Sequence, residues 1–363
     1  VKEFVCIFAD GTIHQPLKRK FMAIKYHTLK VKEVVRETAD TISIHFKQPL
    51  LKKIGYQAGQ FLTLTVEENG KKYRRSYSLS SAPNLDDTLA VTVKRVPSGI
   101  VSNWLNDHVK EGIKMEVMEP MGNFTLVPNS KRSQRYLLFA GGSGITPLMS
   151  MLKTVVSFER NSFVHLFYSA RSQADIIFKK QLDFWAQKHG DRLKIHYFIS
   201  QDPAADQMGR LTSETLRSLL ADIPNDLRKQ AYLCGPQALM EVIEGELEKA
   251  GISEVFKESF FAPVPTDEKA TGSGAVLIKL SGADHHLEVP SNKTILDAAL
   301  DAGIDMPYSC QSGLCTACRG KCISGKVKMD SNEALSDEEI AAGYVLTCQS
   351  HPASEGVVID MDA

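Results

Sequence analysis

From residue 25 to about residue 127, apolar and polar positions alternate in short runs, as in Phe61-Leu-Thr-Leu-Thr-Val66 and Leu89-Ala-Val-Thr-Val-Lys-Arg95, separated by Gly, Pro and Asn clusters. A period of two sends successive side chains to opposite faces, so this stretch predicts a small antiparallel β-barrel. Beyond Arg135 the pattern changes. Apolar strands at Tyr136–Ala140, Phe163–Ser169, Leu193–Ser200 and Ala231–Cys234 alternate with helical periodicity from Pro147 and between Asp175 and Lys188, which predicts a parallel α/β sheet. The run Ala262-Pro-Val-Pro-Thr-Asp-Glu-Lys-Ala-Thr-Gly-Ser-Gly274 has almost nothing to bury and reads as a linker. Two further alternating strands follow, Val276–Leu280 and His285–Val289, then a helix beginning at Thr294 and a Cys-rich loop. The pattern predicts a multidomain chain: an extension (1–25), a barrel (26–130), an α/β domain (131–261), a linker (262–274) and a third α+β domain (275–363).

Composition narrows the function classes. At 363 residues the chain is too long for one ordinary core, and no apolar run approaches the roughly 20 residues that span a bilayer, so no membrane partner is expected. A formal net charge of zero argues against a nucleic-acid binder. That zero hides a split: residues 274–363 hold 6 Lys/Arg against 13 Asp/Glu, a net of −7, and the rest carries +7. Opposed fields of this kind favour docking between redox domains, although an acidic tail equally fits plain solvated surface. Val1 to Lys20 lack the ordered regions of a secretory signal, so the expected location is cytoplasmic.

The most specific chemical signal is Cys310-x4-Cys315-x2-Cys318-x29-Cys348, with Gly313 inside the loop. Three thiolates within nine residues plus one from a distance differ from the paired knuckles of zinc sites, and disulfides do not suit a chain expected in the cytoplasm. The spacing favours an iron–sulfur cluster. Cys322 and Cys6 fall outside it and read as ordinary thiols.

Two other strings carry candidate chemistry. In Arg75-Ser-Tyr-Ser-Leu-Ser80, Arg75 can grip a phosphate, Tyr77 offers a flat surface for stacking, and the Ser78 hydroxyl can bond a ring nitrogen, although alone the string also fits an edge strand. Gly99-Ile-Val-Ser-Asn-Trp-Leu105 reads as a helix start whose amides suit a pyrophosphate. Ala140-Gly-Gly-Ser-Gly-Ile-Thr-Pro147 is a glycine-rich strand-to-helix turn, with Thr146 expected as N-cap and Pro147 as the first helical residue. Cys234-Gly-Pro236 closes a later strand at the same end of the sheet, where open α/β folds bind ligands.

Taken together, these strings resemble the ferredoxin–NADP reductase superfamily, and residues from about 275 onwards, with Tyr308-Ser-Cys310 and Leu346-Thr-Cys348, resemble a plant-type [2Fe–2S] ferredoxin of β-grasp fold. The resemblance covers about 90% of the chain. It implies FAD, with FMN as the alternative, held through Arg75, Tyr77, Ser78, Gly99, Val101 and Ser102. It also implies a nicotinamide dinucleotide at Gly141, Gly142, Gly144, Thr146, Cys234, Gly235 and Pro236, with Ser78, Cys234 and Phe260 lining the hydride path. Phe260 equally fits simple packing of the last strand. Arg171, after the second strand of the α/β domain, suits a 2′-phosphate, so NADPH is expected ahead of NADH. The implied ligands of the cluster are Cys310, Cys315, Cys318 and Cys348.

The domain order resembles that of oxygenase reductases, including those of aromatic (phenylacetyl-CoA) degradation. It implies transfer from NAD(P)H through flavin and cluster to a terminal oxygenase or another redox protein. A hydroxylase, a desaturase, a P450 or a free carrier would serve equally as acceptor, and a redox-sensing module is the more distant reading.

Overall fold

The computed structural model describes residues 25–49, 52–201, 209–260 and 272–363. The N-terminal extension, up to residue 24, and residues 261–271 of the linker region lie outside them.

The first domain is an antiparallel barrel of β1 (Tyr26–Thr38), β2 (Thr41–Lys47), β3 (Phe61–Glu68), β4 (Lys71–Ser78), β5 (Thr88–Lys94) and β6 (Lys114–Met121), in the order β4-β3-β6-β1-β2-β5, with helix α1 (Ile100–His108) between β5 and β6. Leu79, just past β4, bridges to Val91 of β5 and joins the two edges of the sheet. Alternation works as expected: Leu62, Leu64 and Val66 of β3 fill the barrel core, while Thr63 lies on the opposite face.

The second domain is a parallel sheet of β7 (Arg135–Gly141), β8 (Phe163–Ala170), β9 (Leu193–Ile199), β10 (Lys229–Cys234) and β11 (Val255–Glu258), in the order β11-β10-β7-β8-β9. Helices α2 (Ile145–Phe158), α3 (Lys179–His189), α4 (Ser213–Ala221) and α5 (Gln237–Lys249) complete it. Helix α2 is buried almost all round because it lies between the sheet and the barrel. Its polar residues serve that seam: Ser150 donates to Ser81 O at 2.6 Å, and buried Lys153 reaches Asp86 at 2.5 Å.

At the far end of α2, Glu159 is 0% exposed. It accepts bonds from Asn129 N (2.8 Å), Ser162 Oγ (2.7 Å) and the Tyr136 phenol (3.0 and 3.1 Å), and pairs with Arg132 at 3.2 Å. This carboxylate therefore ties the connection from the barrel to the sheet. Removing one member of such a buried network strands the rest, so Glu159→Ala should lower stability by about 3 kcal/mol in denaturant unfolding, with spectra of the folded protein unchanged.

The third domain is a mixed sheet of β12 (Gly274–Leu280), β13 (Ala283–Val289), β14 (Arg319–Ser324), β16 (Tyr344–Leu346) and β18 (Val357–Asp360), in the order β13-β12-β18-β14-β16. A two-stranded ribbon, β15 (Val327–Met329) with β17 (Ser350–Pro352), lies beside it, with helices α6 (Ile295–Asp301) and α7 (Asp337–Ala341). Thr294 caps α6 by accepting from Asp297 N at 3.1 Å, which explains why the helical pattern starts there.

Three sequence expectations need correction. Thr146 is not the N-cap of α2: a 3₁₀ turn over Gly142–Gly144 leads into the helix, Gly144 caps it, and the Thr146 hydroxyl donates to Ser143 O at 3.0 Å, leaving Pro147 at the third helical position. The helix expected from Asp175 begins at Lys179, because Ser172 and Asp175 form a capping box that closes a 3₁₀ turn instead. Gly274, placed in the linker, opens β12 opposite Val289.

Candidate functional site

The flavin-strand residues lie on β4. Tyr77 packs against the barrel core, and burial pushes its phenol above the ordinary value, with Arg75 offsetting part of the shift. Ser78 lies on the other face of the strand and is buried. Gly99 caps α1, and the buried Ser102 hydroxyl accepts from Val96 N at 3.1 Å, so it shapes the turn that presents the helix amides; Val101 is buried beside it. A Cβ on Gly99 would lie 2.8 Å from Ser102 Oγ, so this turn accepts no larger residue without moving.

In the second domain Gly141 ends β7 and Cys234 ends its neighbour β10, so both glycine turns meet at one edge of the sheet. They are packed backbone to backbone. A Cβ on Gly144 would fall 2.0 Å from Cys234 O, and one on Gly235 would fall 3.0 Å from the Gly141 backbone. Gly142, at φ +55°, faces open space in a left-handed conformation that glycine adopts without strain. Pro236 caps α5. Arg171 is exposed just past β8, and its carbonyl accepts from Gln201 N at 2.8 Å. Phe260 is 40% exposed, two residues beyond β11.

The structure adds a residue to which the sequence assigned no role. Glu258 ends β11 in direct register with Cys234 of β10, and the Ser78 hydroxyl of the barrel lies close enough to favour its charged form. Ser78, Cys234 and Glu258 therefore meet where the two domains face each other. Burial pushes the Glu258 carboxyl up to about 8, the nearby Ser78 hydroxyl offsetting only part of that, so it is protonated at neutral pH. Burial, reinforced by Glu258, holds the Cys234 thiol well above its usual value and therefore neutral. Among the described residues, Glu258 Oε2 is sealed from water with no partner, as is Ser169 Oγ at the end of β8. Sealed polar atoms of this kind cost free energy unless something bonds them. These orphaned atoms, and glycine turns too close for side chains, fit a polar ring system and a dinucleotide entering between the domains.

The four cluster cysteines come together as two contacting pairs, Cys310 with Cys315 and Cys318 with Cys348. Hydrogen bonds from the partner thiol pull Cys310 and Cys348 towards thiolate, helped by the Ser312 and Gly313 amides respectively. Gln311 and Gly313 hold positive φ, which curls the loop so that its amides point inward. Among the described residues no three His, Cys, Asp or Glu side chains converge as a single-ion site needs. Two pairs instead fit two irons with two thiolates each, the donor set of a [2Fe–2S] cluster. Cys322 points elsewhere, donating weakly to Ser324 O at 3.3 Å.

Fold and sites together define a flavin- and nucleotide-binding oxidoreductase with its own iron–sulfur domain. Three family profiles match in the same order: an oxidoreductase FAD-binding domain over residues 28–126, an oxidoreductase NAD-binding domain over 138–245 and a 2Fe-2S iron-sulfur cluster binding domain over 278–353. The chain is 35% identical over 350 residues to one component of the 1,2-phenylacetyl-CoA epoxidase of Escherichia coli (strain K12), covering 93% of this chain and 98% of the relative. It is 37% identical over 348 residues to the ferredoxin reductase component of the 3-ketosteroid-9-alpha-monooxygenase of Rhodococcus rhodochrous, covering 92% and 96%. Among solved structures it is similar to phthalate dioxygenase reductase, with a TM-score of 0.62, 27% identity and coverage of 93% of this chain and 98% of that one. The chain belongs to the ferredoxin–NADP reductase superfamily, in the group whose flavin and nucleotide domains are followed by a plant-type ferredoxin domain. It is an NAD(P)H-dependent oxidoreductase that uses FAD and a [2Fe–2S] cluster. Among its described residues no helix is long and apolar enough to cross a membrane.

Proposed function

We propose that the chain is the reductase component of an oxygenase, taking a hydride from NAD(P)H and delivering electrons singly through its cluster to a separate terminal oxygenase. The observation that carries this reading is the continuity of the sites: Ser78 and Glu258 face the nucleotide turns, and Phe61, paired with Ser78 across β3 and β4, packs against Cys315 of the cluster loop. Flavin, nicotinamide and cluster would thus meet at one junction of three domains. The likeness to a component of a phenylacetyl-CoA epoxidase favours an oxygenase of aromatic degradation as the partner. We place the protein in the cytoplasm, where thiols outside the cluster, such as Cys234 and Cys322, stay reduced.

FAD supplies the conversion of one two-electron donor into two one-electron deliveries. The protein supplies position and proton handling. Arg75 would take a phosphate, the amides at the start of α1 the pyrophosphate, and Tyr77 the ring face. The turns Gly141–Gly144 and Cys234–Pro236 would seat the nicotinamide half against that ring, with Phe260 beside it. Cys234, neutral and buried, would line the hydride path without competing for it. Ser78 Oγ, close to Glu258, would hold or pass a proton at the redox edge.

Arg171, exposed past β8, supports a preference for NADPH through its 2′-phosphate. Anaerobic titration of the purified protein tests both points. Bleaching of flavin and cluster absorbance at lower NADPH than NADH is expected, and Arg171→Ala should erase that preference, an effect of about tenfold in half-saturating concentration. Flavin that neither nucleotide reduces beside an intact cluster would remove the reductase reading and favour a redox sensor.

A further inference from the structure

The segment Asp305–Gln311, which leads into the first cluster ligand, lies along β4 of the barrel. Its contacts cover β4 from Lys72 to Ser76. Asp305 Oδ1 accepts from Arg74 Nη1 at 2.8 Å, and the same guanidinium donates to Met306 O at 3.3 Å. The Tyr308 phenol accepts from Arg74 N at 3.3 Å and donates to Lys72 O at 3.2 Å, so one side chain occupies the open edge of β4. Ser309 Oγ bonds Thr63 Oγ1 at 2.6 Å and Ser76 Oγ, two residues opposite each other on β3 and β4. Arg75 Nη1 donates to Gln311 Oε1 at 2.6 Å.

The β4 residues 72, 74 and 76 thus all meet this segment, with Arg74 making the most contacts. Each step of two residues along a strand covers about 7 Å. The next position on that face is Ser78, and its cross-strand partner Phe61 packs with Met118 against Cys315 and Ala317. The anchor is Arg74. It is 3% exposed, lies over the rings of Tyr26 and Tyr308 with centroids at 5.4 and 5.3 Å, and pairs with a carboxylate from another domain. A buried guanidinium that spans two domains fixes register, because sliding the segment would strand its charge.

We propose that Asp305–Gln311 is a docking strap that holds the cluster in register with the flavin strand, with Arg74 as its positioning residue. The inference rests on the proposed flavin site. The step it serves moves one electron at a time, oxidising the flavin and reducing one iron of the cluster, with NAD(P)H as the source. Transfer falls steeply with distance, so loss of register slows this step and spares hydride transfer, which depends on the other domain pair.

The experiment uses full-length protein with verified flavin and iron content. Stopped-flow absorbance should show flavin reduction by NAD(P)H unchanged in Arg74→Gln, with cluster reduction slowed about tenfold or more, the scale set by truncating a buried charge pair. Arg74→Lys should recover part of that rate. Asp305→Asn alters the exposed partner and should show the same split even if Arg74→Gln folds poorly. Hydrogen exchange of β4 and residues 305–311 should rise in Arg74→Gln and Asp305→Asn and stay protected in Arg74→Lys. Cluster reduction at the parent rate with unchanged exchange overturns the strap. Parent protein whose flavin accepts no hydride defeats the functional reading instead, and the exchange measurement still decides the docking role.

Discussion

Cys348→Ala protein is expected to accept hydride from NAD(P)H at close to the parent rate, yet to lose the signal of its reduced cluster and almost all onward electron delivery. Cys348 is the proposed ligand that arrives from far along the chain, and several hydrogen bonds hold its turn in place. Thr347 donates to Cys318 O through both its amide (3.1 Å) and its hydroxyl (3.0 Å), and Ser350 Oγ donates to Leu346 O at 2.7 Å. These bonds lock the turn carrying Cys348 onto Cys318, its pair partner. Without the fourth thiolate one iron lacks a ligand, so delivery to a one-electron acceptor should drop by about two orders of magnitude or more. Iron analysis, low-temperature electron paramagnetic resonance and stopped-flow absorbance check this together. Cys322→Ala is the control, and it should keep the full signal because Cys322 bonds carbonyls on β14 and in the turn after it. Loss of the signal in Cys322→Ala, with retention in Cys348→Ala, would reassign the fourth ligand.

The iron–sulfur domain was legible because the four cysteines proposed as ligands stand at a distinctive spacing, three of them within one loop. The barrel and the parallel sheet were legible for a similar reason, since alternating strands such as β3 and β5 and the wholly buried β7 carry their period locally. Helices α4 and α5 were missed, because α4 buries only Leu216 and Leu220 and α5 carries a charged outer face, so neither stands out from the polar sequence around it. The start of α2 was misplaced for a physical reason too. Thr146 and Pro147 look like a cap and a first helical residue, but Gly142–Gly144 already turn as a 3₁₀ helix, packed so closely on β10 that a Cβ on Gly144 would fall 2.0 Å from Cys234 O. Arg74 and Glu258 illustrate the larger limit. Each looked like an ordinary charged residue beside a motif. Their meaning comes from residues 231 positions away, in Asp305, and 180 positions away, in Ser78.

Glu258→Gln should slow turnover by about a hundredfold, at the lower end of what general acid–base groups contribute, and should remove the pH dependence of electron delivery. A hydride carries two electrons and one proton together, whereas the cluster accepts electrons without protons. The proton left at the redox edge must therefore pass to the protein, and Ser78 Oγ leads to Glu258. Acceptance requires the carboxylate. With burial raising this group to about 8, most of it is protonated at pH 7, so delivery in the parent should rise with pH and level off above about 8. Glutamine keeps a polar group of the same size beside Ser78 but accepts no proton, which flattens the profile. The same shift has a stability signature of fixed sign. Between the ordinary value of 4.5 and about 8 the folded protein holds a proton that the unfolded chain has released, so stability falls as pH rises through that window. Glu258→Gln should lose that slope in denaturant titrations of the flavin-free protein. A parent profile without a rise below pH 8, combined with an unchanged stability slope in Glu258→Gln, would show that the proton leaves by another route and that Glu258 serves only to orient Ser78.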